Sequence, residues 1–437
     1  MLATVGLAIV GATIIAGYLT MSHNEYKLAQ RTLMLQSAMN LAEAGLEEGM
    51  DAINTTDWTG WSAVGSNGYF SDVTSISFSD TRNTQLRVYV EDYDTLPILA
   101  AEGRITSANG DIVFKQIRVD LARSSVFANG LTAKRTISFS GSNVSVDAYD
   151  STLGPHDPTL NHLDQGTVAS LSVDNGDLNV GNGDIWGYVA TGGGTPDVGP
   201  TGSIMGAGST DRIDEDRISD SFYANLWDVS APSGTVDGVN YTTDFTTLAA
   251  GTIGATGTTS NPEVYVITSF SIAATDQLNV VGPAVIIVSG DFTVTGGAGV
   301  NVLGPDGTLE MYAGGDVTIA GNGLVNDALN PEAFQLWGTA PTGSTQSIMV
   351  TGNGDTAGVF YAPNADLTLN GNGGISGAAV GKNIDLTGTA EFHYDVNLKG
   401  FEKHSTYSID RWRELRGISE RLDFSDRASV AAAISRL

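Results

Sequence analysis

The sequence predicts an α+β protein with a mainly β body: a long N-terminal α-helix, a small antiparallel sheet, then a parallel β-helix. Three observations carry that prediction. Residues 2–21 contain no charged side chain and run on into an amphipathic pattern, with no proline anywhere in residues 1–53. Apolar residues then alternate with polar ones between Leu86 and Leu121, the period of a half-buried strand. Finally, a glycine–aspartate motif recurs through a long acidic stretch, with aspartates 25 residues apart at Asp291 and Asp316 and twice that further on at Asp366.

The helix comes first, over residues 1–57. Twenty uncharged residues, LATVGLAIVGATIIAGYLTM, reach about 30 Å at helical rise, the thickness of a bilayer core. Small residues recur at Ala8, Ala12 and Ala16, with Gly6, Gly11 and Gly17 interspersed, and give the stretch a face where a second helix can approach closely. From Ser22 the pattern turns amphipathic, with Leu35, Met39, Ala42, Leu46, Met50 and Ile53 at spacings of three and four. Asn54-Thr55-Thr56-Asp57 supplies the break, so one continuous helix would measure about 80 Å. A membrane anchor has no need of the second half; a helix that packs first on its own domain and then on copies of itself does.

Residues 58–135 read as the sheet. Leu86–Glu91, Ile112–Phe114 and Ile117–Leu121 are strands, and Asn109-Gly110 marks a hairpin turn within Ser107–Asp111. Residues 136–398 read as the β-helix. Between the repeated aspartates, apolar pairs come every seven to nine residues: Val285/Ile287, Phe292/Val294, Val300/Val302, Leu309/Met311 and Val317/Ile319. Three short strands per repeat form one solenoid coil, which buries its inward face only against its neighbours. A β-sandwich also fits short strands with frequent turns; the fixed register favours the solenoid. In the tail, residues 399–437, Ser425 is placed to cap a short helix whose Val430, Ile434 and Leu437 form one apolar stripe.

Charge divides the chain along the same lines. Of the formal net charge of −28, residues 136–398 contribute 29 acidic against 3 basic groups, Arg212, Arg217 and Lys382. So acidic a surface repels nucleic acid, which excludes it as a partner, and keeps the body soluble. With no cysteine there is no disulfide framework and no thiolate metal site. No cofactor is expected, with calcium the one candidate: Asp211, Asp214 and Asp216 offer oxygen ligands, although Arg212 and Arg217 among them also read as ion-pair partners. His156-Asp157 and His162-Asp164 form the densest histidine–carboxylate cluster, for which a solvated loop is the plainer reading than a metal site. His393 is expected near the end of the solenoid, in a structural hydrogen bond. Three basic residues in the whole β-helix leave little for a polysaccharide lyase, so the chain is read as no enzyme; a membrane-anchored carbohydrate-active β-helix stays as an alternative.

The run Asn40-Leu41-Ala42-Glu43-Ala44-Gly45-Leu46-Glu47, after an uncharged helical start, resembles the N-terminal region of PilX-type proteins of the type IV pilin and pseudopilin superfamily. Gly358–Asp366 and Glu391–Asp395 resemble a β-helical domain often joined to such starts. The resemblance implies a structural subunit of an extracellular filament. A prepilin peptidase exposes the helix, the cytoplasmic membrane stores it, and assembly machinery bundles it with copies of itself at the cell surface. It also implies Met1 as the processed N-terminus, and Met1, Val5, Gly6, Ala8, Ala12, Ala16, Leu35, Met39, Ala42 and Leu46 as assembly residues. Val5 stands where major pilins of the family usually carry a glutamate, which leaves open a minor pilin or a tip adhesin binding a glycan or surface.

Overall fold

The computed structural model describes residues 2–437 except 74–82, 94, 108–109, 142, 237, 242–247, 321–322, 353–354, 372, 404, 435 and 437; the side chains of residues 2–8 also lie outside the description. The chain forms two compact units, Met1–Ser124 with Ser405–Leu437, and Ser125–His404. The composition boundaries near residues 135 and 398 fall inside the second unit, because surface charge and chain contacts change at different residues.

In the first unit, α1 (Leu2–Thr55) faces an antiparallel sheet. Its strands are β1 (Ser62–Val64), β2 (Gly68–Val73), β3 (Asn83–Glu91), β4 (Ile98–Thr106), β5 (Ile112–Ser124) and β6 (Thr406–Glu414), side by side in that order. The expected hairpin joins β4 to β5, with the Ser107 amide on the Asp111 carbonyl at 2.8 Å; Ala108 and Asn109 of its turn lie outside the described residues. The strand β6 closes on β5 with Thr406 opposite Ser124, so the second unit is inserted between two neighbouring strands of the first.

The described helix is buried only from Met34 onward. Ala38, Leu41, Ala42, Leu46, Ala52 and Ile53 are buried there, and Leu41, Ala42, Leu46 and Ile53 share a core with Leu86, Val88, Val90, Leu99, Ala101, Ile117, Val119 and Leu121. The expected seam is off by a small rotation: Leu35, Met39 and Met50 are half-buried flanks, while Gly45 and Gly49 hold the centre. Apolar spacing alone overlooks glycine, yet the helix lies close because Gly45 and Gly49 lack a side chain: a Cβ on Gly45 would sit 2.5 Å from Leu86 Cδ1. Opposite them, Gly103 of β4 faces the helix backbone itself. A further core gathers Phe70, Tyr89, Ala100, Leu415, Leu422 and Phe424 with Val430 and Ile434 of α2 (Arg427–Ile434). Its cap is Asp426, whose carboxylate accepts the Ala428 amide at 3.1 Å, and not Ser425, which bonds to Asp423. Leu437 lies outside the described residues.

No helix among the described residues is long and apolar enough to cross a membrane. From Ile9 to Met21, the described side chains cover about 20 Å, short of a bilayer core. The spanning segment expected over residues 2–21 is therefore not supported by them.

The second unit is built from parallel strands in three ladders. One runs through Glu263–Ile267, Pro283–Val288, Thr308–Ala313, Phe334–Gly338 and into Thr356–Gly371. A second runs through Phe270–Ile272, Phe292–Val294, Val317–Ile319 and Gln346–Gly352. The third joins Gly251–Ile253, Gln277–Val280, Gly299–Val302 and Gly323–Asn326. Inward residues are those expected on most strands, but Pro283–Val288 runs one residue out of phase: Ala284, Ile286 and Val288 align with Leu309, Met311 and Ala313 of the next strand. An unbroken Val285-Ile286-Ile287 run carries no alternation from which to choose the face.

The repeat is also less regular than its aspartates imply. Asp316 Oδ1 accepts the Ser347 amide at 2.8 Å, and Ser347 pairs with Asp366, so the 50-residue interval consists of one step of 31 and one of 19. Asp291 to Asp316 is a true single step, in which Asp291 Oδ1 accepts the Asp316 amide at 3.0 Å.

The order of passes is not linear. The last strands, Gly374–Gly388 and Glu391–Asp395, pair with the first, Leu131–Ala133, Ile137–Phe139 and Ser145–Tyr149. From there the first pass continues away, onto Gly166–Ser170 and Asp184–Thr191. His393 therefore sits where the last pass meets the first, inside the stack and not at its end.

Candidate functional site

Two regions carry features that packing alone leaves unexplained. The first is the described N-terminal part of α1. Ten large apolar side chains from Ile9 to Leu33 are each between 57% and 72% exposed. Seven of them, Ile9 to Met21, surround the uncharged part of the helix, and an all-round apolar helix is ordinarily a buried one. Beyond it His23, Glu25, Lys27 and Arg31 interrupt the apolar surface around Tyr26, Leu28 and Leu33. Thr13, Thr20 and Thr32 turn their hydroxyls back onto the carbonyls of Ile9, Ala16 and Leu28 at 2.6–2.9 Å, so these polar groups need no water. Of the expected assembly residues, Ala12 and Ala16 are exposed, and no atom lies within 4 Å of a Cβ built on Gly11 or Gly17. Ala42 and Leu46 are buried on the chain's own sheet, while Met1 and the side chains of Val5, Gly6 and Ala8 lie outside the description.

The second is a cluster of histidines on the inserted unit. Its foundation is the parallel register: Asp147 pairs with His393 on one neighbouring strand, and Val146 with Ile185 on the other, which brings Trp186 alongside Asp147. Val146 and Phe392 point into the core, so Asp147 and His393 point out of the ladder. The loop between Tyr149 and Gly166 covers them. It is pinned by Asn161, whose side-chain amide donates to the carbonyls of Asp150, Gly154 and Pro155 at 2.9–3.2 Å and whose Oδ1 accepts the Asp150 amide at 3.0 Å. Asp157 closes a tighter turn by accepting the amides of Thr159 and Leu160, both at 2.8 Å. That turn, the Thr159 amide foremost, holds the Asp157 carboxyl below the usual carboxylate range.

The loop thereby delivers His156 and His162 to Asp147. His156 Nε2 lies 3.2 Å and His162 Nε2 3.4 Å from Asp147 Oδ2, while His393 Nδ1 lies 2.6 Å from Oδ1. The rings of His156 and His393 stack 3.6 Å apart and nearly parallel, at 11°. Burial pushes the Asp147 carboxyl up, but the neighbouring His156 and His393 imidazoles outweigh it, and the carboxyl rests below its ordinary value. Gly374 makes room for the His393 ring, since a Cβ there would sit 2.9 Å from Nε2.

The sequence pairs His156-Asp157 and His162-Asp164 are thus not the partners in space. Asp157 serves its turn, and Asp164 takes the Arg217 guanidinium at 2.7 Å. The sequence signal that was open to use is the outward phase of Asp147 and His393 on strands whose neighbours are apolar.

The expected calcium ligands are engaged otherwise. Asp214 caps the short turn Glu215–Arg217, accepts the Ser209 hydroxyl at 2.5 Å and lies 3.6 Å from the Arg217 guanidinium. Asp211 and Asp216 are exposed. Among the described residues, Asp147, His156 and His393 form the group whose ligand atoms all lie within 4.8 Å of one another, and Asp211, Asp214 and Asp216 form no such group.

A family profile described as "Domain of unknown function (DUF7305)" matches residues 226–401. That span holds the return run of parallel strands and His393, but not Asp147, His156 or His162. No curated protein matches the chain. One solved structure does, the competence-associated pilin ComZ from Thermus thermophilus, at 10% identity over 87% of this chain and 98% of that one, with a TM-score of 0.18. A score of that size carries no argument about fold or function.

Proposed function

We propose that the chain is a structural subunit of a type IV pilus-like extracellular filament, with α1 as the polymerising element and an acidic β-helix as the displayed body. The observation that carries this reading is the bare apolar stretch from Ile9 to Met21, with Tyr26, Leu28 and Leu33 exposed beyond it, on a helix anchored to its own domain only from Met34. Exposed apolar surface of this extent marks an association surface. Burying ten such side chains is worth on the order of 10 kcal/mol or more per subunit before association entropy is subtracted. The run Leu41–Glu47 supports it through its resemblance to PilX-type proteins, and Ala12 and Ala16 offer a face for close helix contact.

On this reading the helix is held in the cytoplasmic membrane until a prepilin peptidase and assembly machinery transfer it into a bundle of its own copies. The three parallel ladders, stepping by 21 to 31 residues, support the β-helix reading of the body. The activity is association and not catalysis.

Cryo-electron microscopy of filaments sheared from expressing cells tests the proposal. A shaft whose core is built from repeated copies of α1 is the expected result. Recovery of the chain as a dispersed monomer, with no filament under conditions of full expression, overturns it.

A further inference from the structure

Three imidazoles and one carboxylate converge at the junction of the first and last passes, and this is more than a hydrogen-bond network requires. Asp147 has two oxygens; His393 takes one at 2.6 Å, and His156 and His162 compete for the other. His156 Nε2 is buried with no hydrogen-bond partner. A buried nitrogen left unsatisfied calls for an explanation, and an ion is one of the standard ones.

We propose that Asp147, His156 and His393, joined by His162, bind one divalent transition-metal ion of the zinc class. Donor chemistry selects the class: imidazole nitrogens with a single carboxylate suit zinc and its neighbours, whereas calcium takes six to eight oxygens. A tetrahedral site with bonds of about 2.0–2.1 Å sets its donors roughly 3.3 Å apart. The contacts of Asp147 Oδ2 with His156 and His162, 3.2 and 3.4 Å, match that spacing, and the His393 Nδ1 contact with Oδ1, 2.6 Å, has to open on binding. Parallel stacking aims the His156 and His393 nitrogens along separate lines, so binding turns the His156 ring out of the stack. With no hydrogen bond at Nε2, that rotation breaks none there. The Asp147 carboxylate supplies the anionic ligand, and the depth of His393, 7% exposed, shields the site from water.

The ion has a structural task. Asp147 and His156 belong to the first pass and the loop after it, and His393 to the last pass, so one ion fastens the two ends of the inserted unit's chain together and fixes the loop over the junction.

The test uses the full-length protein after chelator treatment, titrated with Zn2+ against a chromophoric competitor and, separately, with Co2+. One equivalent should bind with sub-micromolar affinity, Co2+ should show the intense visible bands of a four-coordinate site with nitrogen ligands, and exchange of backbone amides in 145–163 and 391–395 should slow. His156→Ala and, independently, His162→Ala should each weaken binding by at least roughly 10-fold. The surface variant Asp211→Asn, which touches none of these groups, should bind as wild type. Because the Co2+ spectrum is read on the unaltered chain, a variant that folds poorly leaves the proposal testable. Weak binding of several equivalents, equal in His156→Ala and wild type, would show only the acidic surface attracting cations and would overturn the site, as would no binding at all.

Discussion

Replacing Gly103 by alanine tests whether the close seating of α1 on its sheet is what the first unit depends on. A Cβ at this position would overlap the Ala38 carbonyl oxygen and stand 2.7 Å from the Ala42 amide nitrogen and 3.0 Å from Leu41 Cβ. Two of these three neighbours are helix backbone, so no side-chain rotation relieves the overlap and the helix has to withdraw by about 1 Å. Withdrawal loosens Leu41, Ala42 and Leu46 against Leu86, Val88, Leu99 and Ala101 together. Overpacking of a dense core costs about 1–3 kcal/mol, and backbone on the opposing side places Gly103→Ala at the top of that range. Since the chain has two units, a single melting curve mixes them. Hydrogen exchange of peptides covering Ile98–Thr106 reads the first unit alone, and a loss of about 3 kcal/mol accelerates its protected amides roughly 100-fold. Gly11→Ala, with nothing within 4 Å of the added Cβ, is the matched control and should gain about 1 kcal/mol of local helix stability. If Gly103→Ala exchanges like wild type, the helix is not held by close approach and the packing argument fails.

The outer strand Glu263–Ile267 should be pH-sensitive. Hydrogen bonds from the Thr256 hydroxyl, and then from the Thr256 amide, the Tyr265 hydroxyl and the Gly254 amide, outweigh desolvation and bring the Glu263 carboxyl from 4.5 down to about 2. A depressed carboxylate stabilises above its unfolded pKa and loses that contribution as pH falls toward the folded one. After allowance for solvent screening, Glu263→Gln should therefore weaken amide protection in 263–267 by about 1–2 kcal/mol at pH 7, and the difference from wild type should shrink between pH 4.5 and 2. Asp426→Ala should cost about 1 kcal/mol of α2 stability, seen as roughly 5-fold faster exchange in Arg427–Ile434. Ile14→Asp or Leu19→Asp should abolish filaments recovered by shearing while leaving exchange in Ile98–Thr106 unchanged, since neither side chain packs within its own chain.

Where a pattern is local, the sequence shows it. The long helix needed only an unbroken run without proline, and Leu86–Glu91 and Ile117–Leu121 announced themselves by alternation. Closeness is harder to read than burial: Gly45, Gly49 and Gly103 shape the helix–sheet contact by what they lack, so a search for apolar side chains passes over them. A spacing can also mislead. Asp316 and Asp366 lie two nominal repeats apart, yet the steps between them are 31 and 19, and only the pairing of Ser347 exposes the compensation. The histidine cluster was least legible, because Asp147 and His393 are 246 residues apart and nothing local to either signals the other. Nearer carboxylates, Asp157 and Asp164, looked like the partners and were already committed to a turn and to Arg217.

The chain-distant pairing follows from a constraint on insertion. Ser124 and Thr406 face each other across β5 and β6, so the inserted unit must leave and return at almost one point. A stack of parallel passes that began at one end and finished at the other would part its ends by about 4.8 Å for each layer, tens of ångströms in all. This unit begins in the middle of its stack, builds outward, and comes back from the far side until its last pass rests on its first. The Ser125 hydroxyl then donates to the Leu398 carbonyl at 2.7 Å, and the Phe127 and Phe401 rings meet at 5.4 Å. Closing the stack in this way lets an acidic body of some 280 residues enter between two strands that still pair from Thr406 opposite Ser124 onward. It also makes the junction between first and last passes the seam that carries the closure.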